Sequence, residues 1–162
     1  MLTPKVSVKS IDRTKDLGQL LKDMKKKQVY VGVPEETAAR PKKGINNAAL
    51  IFIHTHGSPI RHIPARPIIE PAIEATGNKE PIAKELGNAL KVCLNGDVAL
   101  TEVALQRVGM RAQNIVRAWF DDPRNAWAPN SPATIKRKKS DKPLIDTSEL
   151  RKSITYVVSE NK

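Results

Sequence analysis

The sequence is poor in the residues that catalysis, metal binding and base stacking draw on. Cys93 is the single cysteine in 162 residues. One thiol excludes an intramolecular disulfide framework and any zinc site built on cysteine pairs. Cys93 sits in the apolar run Ala89-Leu90-Lys91-Val92-Cys93-Leu94, so a buried thiol is expected there rather than a nucleophile. This scarcity of cysteine also fits assembly in a reducing cytosol. Aromatic residues make up 4% of the chain, which leaves Leu, Ile, Val and Ala to build the core. The longest apolar run, residues 48–53, is far short of the roughly 20 residues that cross a bilayer, so no membrane contact is expected. Met1-Leu-Thr-Pro-Lys lacks the apolar stretch of a secretory leader, so none is expected.

Motifs for phosphate chemistry are also missing. The chain contains neither GxxxxGK[ST] nor GxGxxG, and no serine sits on a sharp Gly-flanked turn. The histidines are His54, His56 and His62. His54 and His56 point roughly 200° apart on a helix, so they cannot chelate one metal from it. Capping or interface roles suit them better. Asp121-Asp122 is a lone acidic pair at a predicted helix end, read as a solvated turn ahead of Pro123. The sequence therefore predicts no enzyme, no metal and no cofactor.

Positive charge and proline are what the chain has in excess. Twenty-eight Lys and Arg face 17 Asp and Glu, a net charge of +11. Such a balance suits a polyanionic partner, either nucleic acid or an acidic neighbouring surface. Several of the 12 prolines fall in two places. One is Ser58-Pro-Ile-Arg-His-Ile-Pro-Ala-Arg-Pro67, too closely punctuated for regular helix and expected to be extended. The other is Trp127 to Ile154, which holds three prolines and the basic run Lys136-Arg137-Lys138-Lys139. A loop of this length in a compact domain is commonly a contact site. No aromatic residue lies between Ala128 and Thr155, so the run lacks the stacking platform of a single-strand binder. Any DNA contact through Lys136, Arg137, Lys138 and Lys139 is expected to be electrostatic and independent of sequence.

The remaining pattern predicts an α+β fold in one domain, residues 1–162. A small antiparallel sheet carries helices packed on one face, with extended loops at about 34–45 and 121–146. Residues 6–9 alternate as a short strand would. Residues 12–27 show helical spacing, with Leu17, Leu20, Leu21 and Met24 on one face and Lys25-Lys26-Lys27 at the C-terminal end of the dipole. Residues 28–33 form a β-branched strand stopped by Pro34. Residues 35–44 are expected to be a mobile polar loop. Asn46 or Asn47 caps a helix over 48–56 that Gly57 ends. Short and long helices follow over 68–75, 79–94 and 98–120, the last capped by Asp97. In the last, Val98, Leu105, Val108, Ala112, Ile115 and Trp119 form the apolar row, and Arg107, Arg111 and Arg117 lie opposite. Asp146-Thr-Ser-Glu149 resembles a capping box, and residues 153–159 read as a strand.

Two motifs go beyond composition. Asn47-Ala-Ala-Leu-Ile-Phe-Ile-His-Thr-His-Gly-Ser-Pro-Ile-Arg-His-Ile-Pro-Ala-Arg-Pro-Ile-Ile-Glu-Pro-Ala-Ile73 resembles the helix, Gly turn and "IPARPF" segment of neck and tail-completion proteins of tailed bacteriophages. Trp127-Ala-Pro, Ser131-Pro-Ala-Thr-Ile-Lys-Arg-Lys and Pro143-Leu-Ile-Asp-Thr-Ser-Glu-Leu-Arg-Lys-Ser-Ile154 resemble the "W-x-P…T-x-x-x-K…P-L-x-D-T-G-x-L-x-x-S-I" pattern of the same virion-morphogenesis group. The resemblance runs from about residue 29 to 158. Ser148 stands where the group has Gly, which implies a backbone needing no positive φ there. Ile68 stands where it has Phe and trims one aromatic contact.

The resemblance implies a small α+β structural protein of the virion neck or tail, assembled in the bacterial host cytoplasm. It implies a homo-oligomeric ring around the DNA channel, commonly sixfold, that completes the tail or joins it to the capsid connector. Neighbouring neck, connector or tail proteins would be its partners, with non-specific contact to genomic DNA. Ile63, Pro64, Arg66 and Pro67, with Trp127, Pro129, Pro143, Leu144 and Leu150, are expected at subunit or ring contacts. A sequence-independent nucleic-acid-binding protein is the alternative reading, and a small hydrolase or nuclease ranks below both.

Overall fold

A computed structural model describes residues 14–40 and 44–160. The strand expected over 6–9 lies outside them. Helix α1 (Thr14–Lys26) leads straight into strand β1 (Lys27–Gly32). Lys27, expected to finish the helix, opens the strand instead. Its ammonium bridges Glu160 at 2.8 Å and Glu102 at 3.1 Å, and the Glu160 hydrogen bond is the main cause of its raised pKa. Strand β1 pairs antiparallel with strand β2 (Thr155–Glu160), from Lys27 opposite Glu160 to Gly32 opposite Thr155. These two strands form the sheet, and residues 33–154 are an excursion between them. The fold is α+β, as expected.

The excursion is helical. Helix α2 (Glu35–Ala38) occupies a stretch expected to be loop. Its anchors are non-local, which is why local polarity missed it. The Thr37 hydroxyl donates to Ser153 O at 2.8 Å, and Ala38 is buried. Helix α3 (Asn47–His56) begins where Asn46 Oδ1 accepts from Ala49 N at 2.8 Å. It ends at Gly57, which takes φ 72°. Helix α4 (Ile69–Glu74) and helix α5 (Lys79–Leu94) follow, and an Asn95-Gly96 turn connects to helix α6 (Val98–Ala118). Asp97 caps α6 by accepting from Leu100 N at 2.8 Å.

Helix α6 is the spine. It packs along α5 and against both strands, and α1 lies on α5. Its buried row is Thr101, Leu105, Val108, Ala112 and Val116. Val98, expected in that row, is 69% exposed because the first turn runs past the end of the packed layer. Arg117, expected on the polar side, reaches back to the chain's return path. Its guanidinium donates to Ile154 O and Lys152 O, both at 2.9 Å. A 3₁₀ turn (Trp119–Asp121) extends α6 and delivers Trp119 and Phe120 into the main core. Ile51, Ile68, Ala72, Val116, Leu150 and Ile154 complete that core. Cys93 is buried between α5 and α1.

The stretch expected as loop over 121–146 contains two more pieces of helix. Asp122 caps a 3₁₀ turn (Pro123–Asn125), and helix α7 (Pro132–Lys138) has Pro132 in its first turn and Ser131 as its cap. Helix α8 (Glu149–Ser153) then leads to β2. The expected capping box is not made: Ser148 sits at φ 62° and its side chain makes no cap hydrogen bond. The positive φ that a Gly would favour is retained by serine, at a cost of about 1 kcal/mol. In β2, Tyr156 faces α6 and Val157 the outside. The Thr155 hydroxyl reaches Gln113 of α6 at 2.9 Å from the strand's first position.

The approach of α6 to the sheet depends on Gly109. A Cβ there would lie 2.9 Å or less from three carbons of the Tyr156 ring. Overpacking against ring carbons costs about 3 kcal/mol and alanine gains about 1 kcal/mol in helix propensity. Gly109→Ala is therefore predicted to lower stability by about 2 kcal/mol in urea unfolding. Gly87→Ala, where no atom lies within 4 Å of the added Cβ, is predicted to raise it by up to about 1 kcal/mol.

Candidate functional site

The two Pro-rich segments fold against each other. The first begins at Gly57, where an added Cβ would meet Ile63 O and Ala65 N at 2.8 Å. That close approach lets Ser58 and Ile63 exchange backbone hydrogen bonds at 2.8 and 2.9 Å. Between them Pro59-Ile60-Arg61 makes a 3₁₀ turn, and His62 takes φ 51°. This segment was expected to be extended throughout. Its prolines permit a tight turn before the extended Pro64 to Pro67 run. Arg66 N then donates to His54 O at 2.6 Å, tying the loop to the end of α3.

The second segment docks onto the first through Arg66 and Trp127. Trp127 packs edge-on against Phe120, with ring centroids 5.6 Å apart, and its indole N–H donates to Pro67 O at 3.0 Å. The Arg66 guanidinium donates twice to Ala128 O, at 3.0 and 2.7 Å, and once to Pro129 O at 3.1 Å. Arg66 is 6% exposed. Burial lowers its pKa, and a guanidinium remains charged at neutral pH all the same. Further along, Asp121 accepts from Lys142 at 2.5 Å and from Arg151 at 2.8 Å. Asp122 pairs with Arg124, which also donates to Thr76 O at 2.8 Å. The acidic pair read as a solvated turn is thus an attachment point for three cations. The Lys142 hydrogen bond, ahead of the Arg151 charge, holds the Asp121 carboxyl below its usual range.

Between the two segments lies a cleft of about 860 Å³. Ile63, Pro64 and Arg66 line one side, and Pro129, Leu144 and Leu150 the other. Pro67 and Trp127 stand behind it as a clamp, and Pro143 lies outside the lining. Arg66 and Leu150, expected at a subunit contact, are instead buried within the chain. The first is consumed by carbonyls and the second by the core. Lys136, Arg137 and Lys138 form the last turn of α7, and Lys139 is its left-handed C-cap residue. Arg137 and Lys138 line the cleft, while Lys136 and Lys139 do not. Lys138 donates to Lys142 O at 2.6 Å, and burial lowers its pKa against the opposing pull of Asp146.

Arg40, Arg61 and His62 also line the cleft, and none was among the expected site residues. Ile60 and Phe52 were missed too, at 95% and 64% exposure. The 57–63 turn was the available signal: a Gly-to-Pro bracket around Pro-Ile-Arg pushes the central residues outward. Among the described residues no three of His, Cys, Asp and Glu come together as metal ligands, and no helix is long and apolar enough to cross a membrane. No protein-family model matches the chain, and neither does any curated protein or solved structure.

Two predictions follow from the clamp. Arg66→Met keeps the stem but loses three charged hydrogen bonds to carbonyls, each worth about 1.5–3 kcal/mol at most. A loss of about 3 kcal/mol or more in unfolding free energy is expected, with Trp127 fluorescence shifting red as the indole is released. His54 supplies the pH dependence. Its Nδ1 is buried without a partner, and burial, then the Arg66 charge, lowers its pKa. Above about pH 6.5 both folded and unfolded states are neutral and the stability is fully present. As pH falls below that value the unfolded chain takes up the proton first, so stability declines. The melting temperature should drop between pH 7 and pH 5, and His54→Phe should flatten that drop.

Proposed function

We propose that the protein is a structural subunit of a tailed-phage neck, completing the tail or joining it to the capsid connector as a ring around the DNA channel. One observation carries this reading. The two sequence motifs that resemble the neck and tail-completion group are bonded to each other through Arg66, Pro67, Trp127 and Ala128, with Pro67 and Trp127 60 positions apart in the chain. Segments that fold into one clamped unit are what a shared assembly surface requires.

The unit also offers contact groups that the subunit itself leaves open. Ile60 stands clear of the surface at the tip of its turn, and Phe52 lies outward on α3. A cyclic ring needs two different side surfaces, and a prolyl backbone loses little entropy when a neighbour orders it. Lys136 and Lys139, exposed and outside the cleft, are free to meet DNA phosphates or acidic neighbours in the virion. The role calls for no catalytic residue. Sequence-independent nucleic-acid binding is the second reading, favoured by the net charge of +11. A steep salt dependence of DNA binding lost on neutralising residues 136–139 would favour it.

Native mass spectrometry and electron microscopy of the protein, alone and with tails of the phage that encodes it, test the first reading. A closed ring seated at the tail end is expected. Ile60→Asp, at a position with almost no contact to its own chain, should fold normally and fail to seat. A monomer under both conditions, or unimpaired seating of the variant, would contradict the proposal.

A further inference from the structure

The cleft holds more positive charge than the chain itself neutralises. Arg40, Arg61, Arg66, Arg137 and Lys138 line it against the carboxylates of Asp146 and Glu149. Three of these cations are engaged: Arg40 with Glu149 at 3.3 Å, Arg66 with the Ala128 and Pro129 carbonyls, and Lys138 with Lys142 O. Arg61 and Arg137 make no ion pair and no side-chain hydrogen bond among the described residues. They stand on different segments, Arg61 on the 3₁₀ turn after α3 and Arg137 on α7. Leu50, Ile63 and Leu144 supply apolar surface in the same cleft. A planar guanidinium is a bidentate receptor for a carboxylate. Two of them in one cleft that also carries aliphatic surface suit a ligand that alternates acidic and aliphatic groups.

We infer that this cleft binds an acidic, extended segment of a partner protein, with one carboxylate on Arg61, another on Arg137 and an aliphatic side chain against Leu50 and Ile63. Charge complementarity selects this occupant. A second copy of the chain brings a net charge of +11, and residues 1–13 carry Lys5, Lys9 and Arg13 against Asp12 alone. Neither complements a cationic cleft. A nucleic-acid strand would find no Phe, Tyr or Trp in the lining on which to stack. The inference stands on the cleft and needs neither a virion nor a ring.

Calorimetric titration of the full chain with a capped decapeptide of Glu, Leu and Ala tests it. The comparison ligands are the same peptide with Gln for every Glu, and an oligothymidylate of equal length. Micromolar binding of the Glu peptide is expected, with none of the Gln peptide. The Arg61→Ala/Arg137→Ala double variant should weaken binding about tenfold or more. Lys91→Ala/Arg107→Ala removes the same charge from exposed positions on α5 and α6 and should leave affinity unchanged. Matching melting temperatures establish that both variants fold. Equal losses in the two variants, no binding of the Glu peptide, or tighter oligothymidylate binding abolished by the Arg61/Arg137 change would each overturn the inference.

Discussion

Everything distinctive about this protein's surface depends on a buried guanidinium. Among the described residues Arg66 has no carboxylate partner; its charge is met by the carbonyls of Ala128 and Pro129. Carbonyl dipoles fix the position of a backbone, whereas a carboxylate at the end of a side chain would leave the backbone free to shift. The contact therefore sets the path of the second Pro-rich segment, and with it the position of α7 and the width of the cleft. Trp127 supports the same junction from behind, using Phe120 as a wall and Pro67 O as an acceptor. Proline is suited to this arrangement because it offers a carbonyl without a competing N–H.

The rest of the molecule supplies the platform. Pairing β1 with β2 brings together elements far apart in sequence, so the long excursion must close on itself. Helix α6 makes that closure possible by packing on both strands, with Gly109 admitting Tyr156 of β2, and Arg117 ties the returning chain at Ile154 and Lys152. The main core gathers at the C-terminal end of α6, directly beneath the clamp. The cleft is thus built on the best-packed part of the chain, with α3, α4 and α8 beneath its two segments. That placement explains how an open, cationic surface is held in shape.

What local chemistry controls was legible in the sequence. Asn46, Gly57, Asp97 and the Asn95-Gly96 turn mark their helix ends where the structure has them, and α5 keeps the expected bounds. What long-range contact controls was not. Helix α2 exists because Thr37 finds Ser153, and Lys27 joins the sheet because Glu102 and Glu160 await it. Ser148 adopts a left-handed backbone although its residue type argues otherwise, with Leu150 seated in the core two positions on. At the site, the sequence singled out both walls but could not tell which residues face inward. Arg66 and Leu150 read as surface contacts because proline-rich context hides burial. Arg61 went unnoticed because a lone arginine between Ile60 and His62 carries no periodic signal.

Residues 57–67 and 127–150 form one surface, joined through Arg66 and Trp127. Hydrogen–deuterium exchange of the protein alone and in the proposed neck assembly tests whether they act together. Slowed exchange on assembly in both segments together, with little change along the outer faces of α5 and α6, is the predicted result. Protection confined to α5 and α6, or gained by one Pro-rich segment without the other, would contradict it.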